Sequence, residues 1–172
     1  MCALDSRLGD LLRVDSEIYE RYYRATTATE LPSIQSLLGQ LERNYDIVHL
    51  ICDVTENGTI CDTTGHEITG TELIQRCCDQ DVKLLWVAGD NPPERYIKGF
   101  GARGKRLNLV MTLKRKDVNF PNFLQKLLSQ MAYGQTMPVA WNDICPQIPG
   151  SVHPDSPESI FFAGRARVRL LS

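Results

Sequence analysis

The sequence predicts a single α/β domain: one doubly wound, mostly parallel sheet with helices on both faces. Three observations carry this. The runs 46–53, 82–88 and 107–113 are short and apolar with little polar alternation, as strands buried on both faces are. Stretches of helical periodicity lie between them, the alternation that yields parallel strands joined by crossover helices. The chain has 172 residues, enough for one sizeable core and small for two.

Taken in order, residues 1–19 read as an N-terminal helical extension, with Leu4, Leu8, Leu11, Leu12 and Ile18 at roughly helical spacing. The β-prone stretch 22–27 suggests a short strand. Thr29-Glu30-Leu31-Pro32 opens a helix, since proline is tolerated in a first turn, and Leu31, Ile34, Leu37, Leu38 and Leu41 form its apolar face. The first core strand follows at 46–53. Asn57-Gly58 and Thr64-Gly65 are turn signals that bracket a short β-arm at 59–62. Thr69 begins a helix with Leu73, Ile74, Cys77 and Cys78 on one face. The second core strand ends at Gly89-Asp90-Asn91-Pro92-Pro93, where Asn91 is expected to cap a short helix. After the third core strand, residues 117–131 carry Phe120, Phe123, Leu124, Leu127, Leu128 and Met131 in one stripe, closed by Gly134. A short helix around Trp141, a Pro- and Gly-rich loop at 146–157, and a terminal strand from Ile160 onward complete the reading.

Composition narrows the function. Hydrophobic residues make up 42% and charged residues 23%, ordinary for a globular chain, and a net charge of −2 argues against whole-protein nucleic-acid or membrane binding. No run approaches a membrane span, and no basic region precedes an apolar core at the N-terminus. The six cysteines include an adjacent Cys77-Cys78 and no CxxC pair, which suits reduced thiols in the cytoplasm. Cys52 and Cys61 with His49 and His66 match no recognised zinc spacing, so neither a metal nor a cofactor is expected.

In doubly wound sheets, sites lie beyond the carboxyl ends of the strands. That rule nominates Asp53, Gly89, Asp90, Asn91 and Thr112, followed by Lys114, Arg115 and Lys116. Asp53 and Asp90 could share a proton or a cation, or merely cap turns. Between Arg95 and Lys116 there is no acidic residue, and Arg103, Lys105, Lys114 and Arg115 belong to a basic segment that could clamp an anion or flank a buried strand. His49, inside a core strand, is more simply a hydrogen-bonded core residue than a base. Arg165, Arg167 and Arg169 would share one strand face and protect an edge, or dock an acidic partner.

The segment Tyr45-Asp46-Ile47-Val48-His49, the hairpin and the helix with Glu72-Leu73, the strand ending in Ala88-Gly89, and Met137-Pro138-Val139-Ala140-Trp141 come in an order that resembles the CHAT domain. This is a bacterial branch of the caspase-like proteases, and the likeness runs from about residue 45 to 164. The resemblance implies that His49 matches the family's first histidine. It also implies that the catalytic histidine position is occupied by Asp53 and the nucleophilic cysteine position by Gly89. Cysteine proteolysis needs a thiolate, a base and oxyanion donors, so a chain with glycine there lacks its nucleophile. The expectation is a non-catalytic caspase-like module that binds a protein partner or regulates one, in a bacterial signalling or conflict system. The alternative is a small-molecule or nucleotide-binding α/β domain that uses the strand-end crevice and the basic 103–116 segment.

Overall fold

In chain order the elements are strand β1 (Cys2–Ala3), helix α1 (Gly9–Glu20), β2 (Thr29–Glu30), α2 (Ile34–Leu41) and β3 (Ile47–Ile51). A hairpin of β4 (Thr59–Cys61) and β5 (Glu67–Thr69) leads into α3 (Gly70–Asp79), β6 (Leu84–Ala88) and α4 (Pro93–Gly99). The chain ends with β7 (Asn108–Thr112), α5 (Phe120–Ala132), α6 (Met137–Ile144) and β8 (Ser159–Phe162). The structure is a computed structural model that describes residues 1–24, 26–100, 107–144 and 159–164.

The central sheet has six strands in the order β2-β1-β3-β6-β7-β8, and β4 and β5 form a separate two-stranded sheet. Every neighbouring pair in the large sheet is parallel except β7 and β8. This is a doubly wound α/β fold. Alternate residues of the core strands serve opposite layers, because successive side chains leave a strand on opposite faces. Val48, Leu50, Leu85, Val87, Leu109 and Met111 pack with α2, α3 and Tyr96 of α4. Leu84, Trp86, Ala88 and Val110 pack against α1, α5 and α6 through Tyr19, Phe120, Phe123 and Met137.

Local chemistry explains several element ends. The Thr69 hydroxyl accepts from the Glu72 amide at 3.1 Å and starts α3. Gly134, with φ of 93°, ends α5 in the left-handed conformation that glycine adopts freely. Asp62 fastens the hairpin to α2 by accepting from Ile34 N at 2.9 Å, while it also accepts from the amides of Thr64 and His66.

Four expectations are corrected. Residues 1–19 are not wholly a helical extension: Cys2 and Ala3 form an interior strand between β2 and β3, and Ala3 is fully buried. The strand expected at 22–27 does not form among its described residues. Tyr22 and Tyr23 instead extend the end of α1, donating backbone hydrogen bonds to Tyr19, and the edge strand comes later, at Thr29–Glu30. The helix expected from Thr29 starts at Ile34, where Ser33 caps it by accepting from Ser36 N at 3.1 Å. Pro92, not Asn91, occupies the cap position of α4. The loop at 146–157 and the arginines at 165, 167 and 169 lie outside the described residues.

Candidate functional site

The register of β3 on β6 pairs Ile51 with Ala88, so Cys52 comes to rest against Gly89 at the carboxyl end of the sheet. Cys52 N donates to Ala88 O at 3.0 Å, and Gly89 N donates to Thr112 O at 3.3 Å. Gly89 is therefore wedged between two neighbouring strands. A Cβ placed on it would lie 2.3 Å from the Cys52 carbonyl oxygen and 2.3 Å from Asn91 Nδ2. No side chain fits there without displacing backbone.

Asn91 is part of what fills the space. It is 3% exposed, its Oδ1 accepts from Val54 N at 2.8 Å, and its Nδ2 donates to the Tyr96 hydroxyl at 3.0 Å. That hydroxyl donates to Thr112 O at 2.9 Å. These bonds tie the ends of three strands and α4 together. They also use up Asn91, so its nomination as a ligand-binding residue is corrected: its polar atoms are bonded inside the protein.

Asp53 and Asp90 follow directly beyond the two strand ends, and both are exposed. Asp90 accepts from Lys116 N at 3.0 Å and pairs with Lys116 Nζ at 3.3 Å. Its carboxylate thus caps the turn after β7, the simpler of the two roles considered for it. Among the described residues no group of three or more His, Cys, Asp or Glu is placed to hold a metal ion.

The basic nominees are split up. Lys114 is exposed, and Arg103 and Lys105 lie outside the described residues. Arg115 is 2% exposed and points into the protein, where Nε donates to Asp15 Oδ2 at 3.0 Å and Nη2 to Asp15 Oδ1 at 2.5 Å. The same Nη2 donates to Leu11 O at 3.2 Å, and the guanidinium lies over the Phe120 ring, 4.3 Å from its centroid. Arg115 is therefore corrected from anion ligand to interior ion-pair partner. A guanidinium taken out of water needs a carboxylate opposite it, and α1 supplies one.

His49 belongs to the same interior cluster. It is fully buried, stacked on Trp86 with ring centroids 5.2 Å apart, and its Nδ1 shares a hydrogen bond with the Tyr19 hydroxyl at 3.2 Å. Its Nε2 lies 3.5 Å from Asp15 Oδ2 yet makes no hydrogen bond to any described residue. Burial, the Arg115 charge and the chain's amino group together hold the imidazole well below its ordinary range, so it is neutral. Burial pushes Asp15 up to about 6 against the pull of Arg115. Among the described residues the members of the cluster, Asp15, Tyr19, His49, Trp86 and Arg115, are all buried.

Among the described residues, the cysteines nearest the core strands are buried thiols. Cys52 is 2% exposed and joins the opposite apolar layer, and burial raises its thiol. Cys77 is fully buried, with its thiol pushed up to about 12.

Sequence reasoning missed Asp15. The signal was present, because Asp15 interrupts the helical stripe of Leu11, Leu12, Ile18 and Tyr19, and an acid on an apolar face needs a buried partner. No helix among the described residues is long and apolar enough to cross a membrane. No model of a known protein family matches the chain, and no curated protein matches it.

Proposed function

We propose that this chain is a non-catalytic, caspase-like domain of the CHAT type that serves as a protein-interaction or regulatory module. Gly89 carries the reading. It follows the strand on which the family resemblance would set the nucleophilic cysteine, and a Cβ placed on it would lie only 2.3 Å from both Cys52 O and Asn91 Nδ2. The position is closed by backbone and by a hydrogen-bonded side chain. That favours a lineage in which the nucleophile has been lost and its place built over.

The order of elements supports the same reading. The strand bearing His49 leads to a glycine-turned hairpin and then to α3, and β6 returns beside β3 with Ala88 paired to Ile51. A domain that has lost its chemistry and kept its scaffold is useful for what it binds. Roles in bacterial signalling or conflict systems follow from the resemblance. Free thiols at Cys2, Cys52, Cys61 and Cys77 support residence in the cytoplasm as part of this reading.

The test is direct. The purified chain is incubated with a fluorogenic peptide library and with thiol-directed activity probes, alongside Asp53→Ala. No cleavage and no probe labelling above the denatured control are expected. Peptide cleavage that disappears in Asp53→Ala would overturn the proposal.

A further inference from the structure

The turn that follows β7 is fastened on two sides by different chemistry. On its inner side Arg115 reaches α1, held by both oxygens of Asp15 and by the Leu11 carbonyl. On its outer side Arg115 N donates to Gly89 O at 3.1 Å, while Lys116 N and Nζ hold Asp90 at 3.0 and 3.3 Å. The turn is thus stitched across the carboxyl end of β6. Its solvent face offers a grip, because the Lys116 side chain is 66% exposed and Val118 is 89% exposed.

We infer that the turn from Lys114 to Asp117 is a latch, closed over the end of β6 by the Asp15–Arg115 pair and released as a unit when that pair breaks. The chemistry of the pair is the reason. A buried ion pair adds little net stability over apolar side chains of the same volume, because desolvation offsets most of its attraction. An apolar plug pulled into water would lose its whole burial energy, whereas Arg115 and Asp15 recover hydration when they part. The closed and open turns therefore lie closer in energy than an apolar anchor would allow. A half-made pair, by contrast, leaves a buried charge without a partner, so the latch has two positions and no stable intermediate. The other groups around Asp15 do not compete for it: His49 is neutral and Tyr19 is engaged with His49. A partner that grips Lys116 and Val118 would pull on the pair, and α1 would sense the release. The latch does not depend on the family reading, since it requires only these contacts.

Amide hydrogen exchange on the folded full chain tests it, read residue by residue by NMR. In Asp15→Asn, exchange at Arg115 and Lys116 is expected to quicken by roughly tenfold or more, while Leu50 and Val87 in the sheet keep their wild-type rates. Unchanged exchange at the turn would overturn the inference. So would an equal rise at Leu50 and Val87, which would make the pair a global stabiliser only. Should Asp15→Asn fail to fold, the double variant Asp15→Leu/Arg115→Met replaces the pair with apolar bulk. Its turn is expected to exchange more slowly than wild type, and a turn that opens as readily as wild type would refute the latch.

Discussion

Replacing Gly89 with alanine tests whether the strand-end position is closed. Ordinary contacts of a Cβ begin near 3.4 Å, so both the Cys52 carbonyl and the Asn91 amide, each at 2.3 Å, would have to retreat by about an ångström. Neither can do so cheaply. Moving Cys52 O strains the β3–β6 junction, where Cys52 N is bonded to Ala88 O. Moving Asn91 breaks its acceptance from Val54 N and its bond to Tyr96. Overpacking a tight interior costs about 1–3 kcal/mol. Orphaning the buried Val54 amide adds about 1–3 kcal/mol. Gly89→Ala should therefore lose about 2–6 kcal/mol in urea unfolding followed by circular dichroism. For a chain of this size each kcal/mol lowers the melting temperature by about 2–4 °C. Gly89→Cys should be destabilised at least as much and gain no thiol-dependent cleavage. A loss below about 1 kcal/mol would refute the reasoning, since it would mean that the site yields to a side chain.

Three further outcomes are expected. Asp15 has its folded pKa raised to about 6, so the stability tied to this group is full below about pH 4 and is lost as pH rises through 6. Measured against Asp15→Asn in parallel urea titrations, wild type should gain up to about 3 kcal/mol as pH falls from 7 to 4, and a flat difference would reject the shift. His49 acts with the opposite sign: its folded pKa is depressed, so its contribution is present above about 6.5 and lost as pH falls. The stability of His49→Phe relative to wild type should accordingly improve on acidification below pH 6.5, and a constant difference would contradict a neutral buried imidazole. Lastly, thermal shift against nucleotides and inorganic phosphate should show no rise in melting temperature, because Arg115 and Asn91 are spent inside the protein. A saturable rise abolished by Lys114→Ala would restore the anion-binding alternative.

Much of the fold was legible in the residues alone. The runs around Ile47–Ile51, Leu84–Ala88 and Asn108–Thr112 announced double-sided burial, and the stripe from Phe120 to Met131 announced a helix with one buried face. These features are local: the two-residue repeat of a strand and the 3.6-residue repeat of a helix decide which side chains turn inward, whatever they meet there. Gly58 and Gly65 marked the hairpin for the same reason, since both adopt positive φ.

The candidate site was legible only in outline. Its place beyond the strand ends followed from architecture, and Gly89 was visible as the residue that follows the second core strand. The closure of that position was not, because it depends on how closely β3 and β6 approach. The two-residue strand β1 was read as helix, since so short a segment carries no periodicity and is a strand only by virtue of its neighbours β2 and β3. Arg115 looked like its neighbours Lys114 and Lys116 in one basic run, and its partner Asp15 lies 100 residues away. Periodicity determines that a residue is buried; which buried charge meets which is decided by the packing of distant helices and strands, and only the assembled structure carries that information.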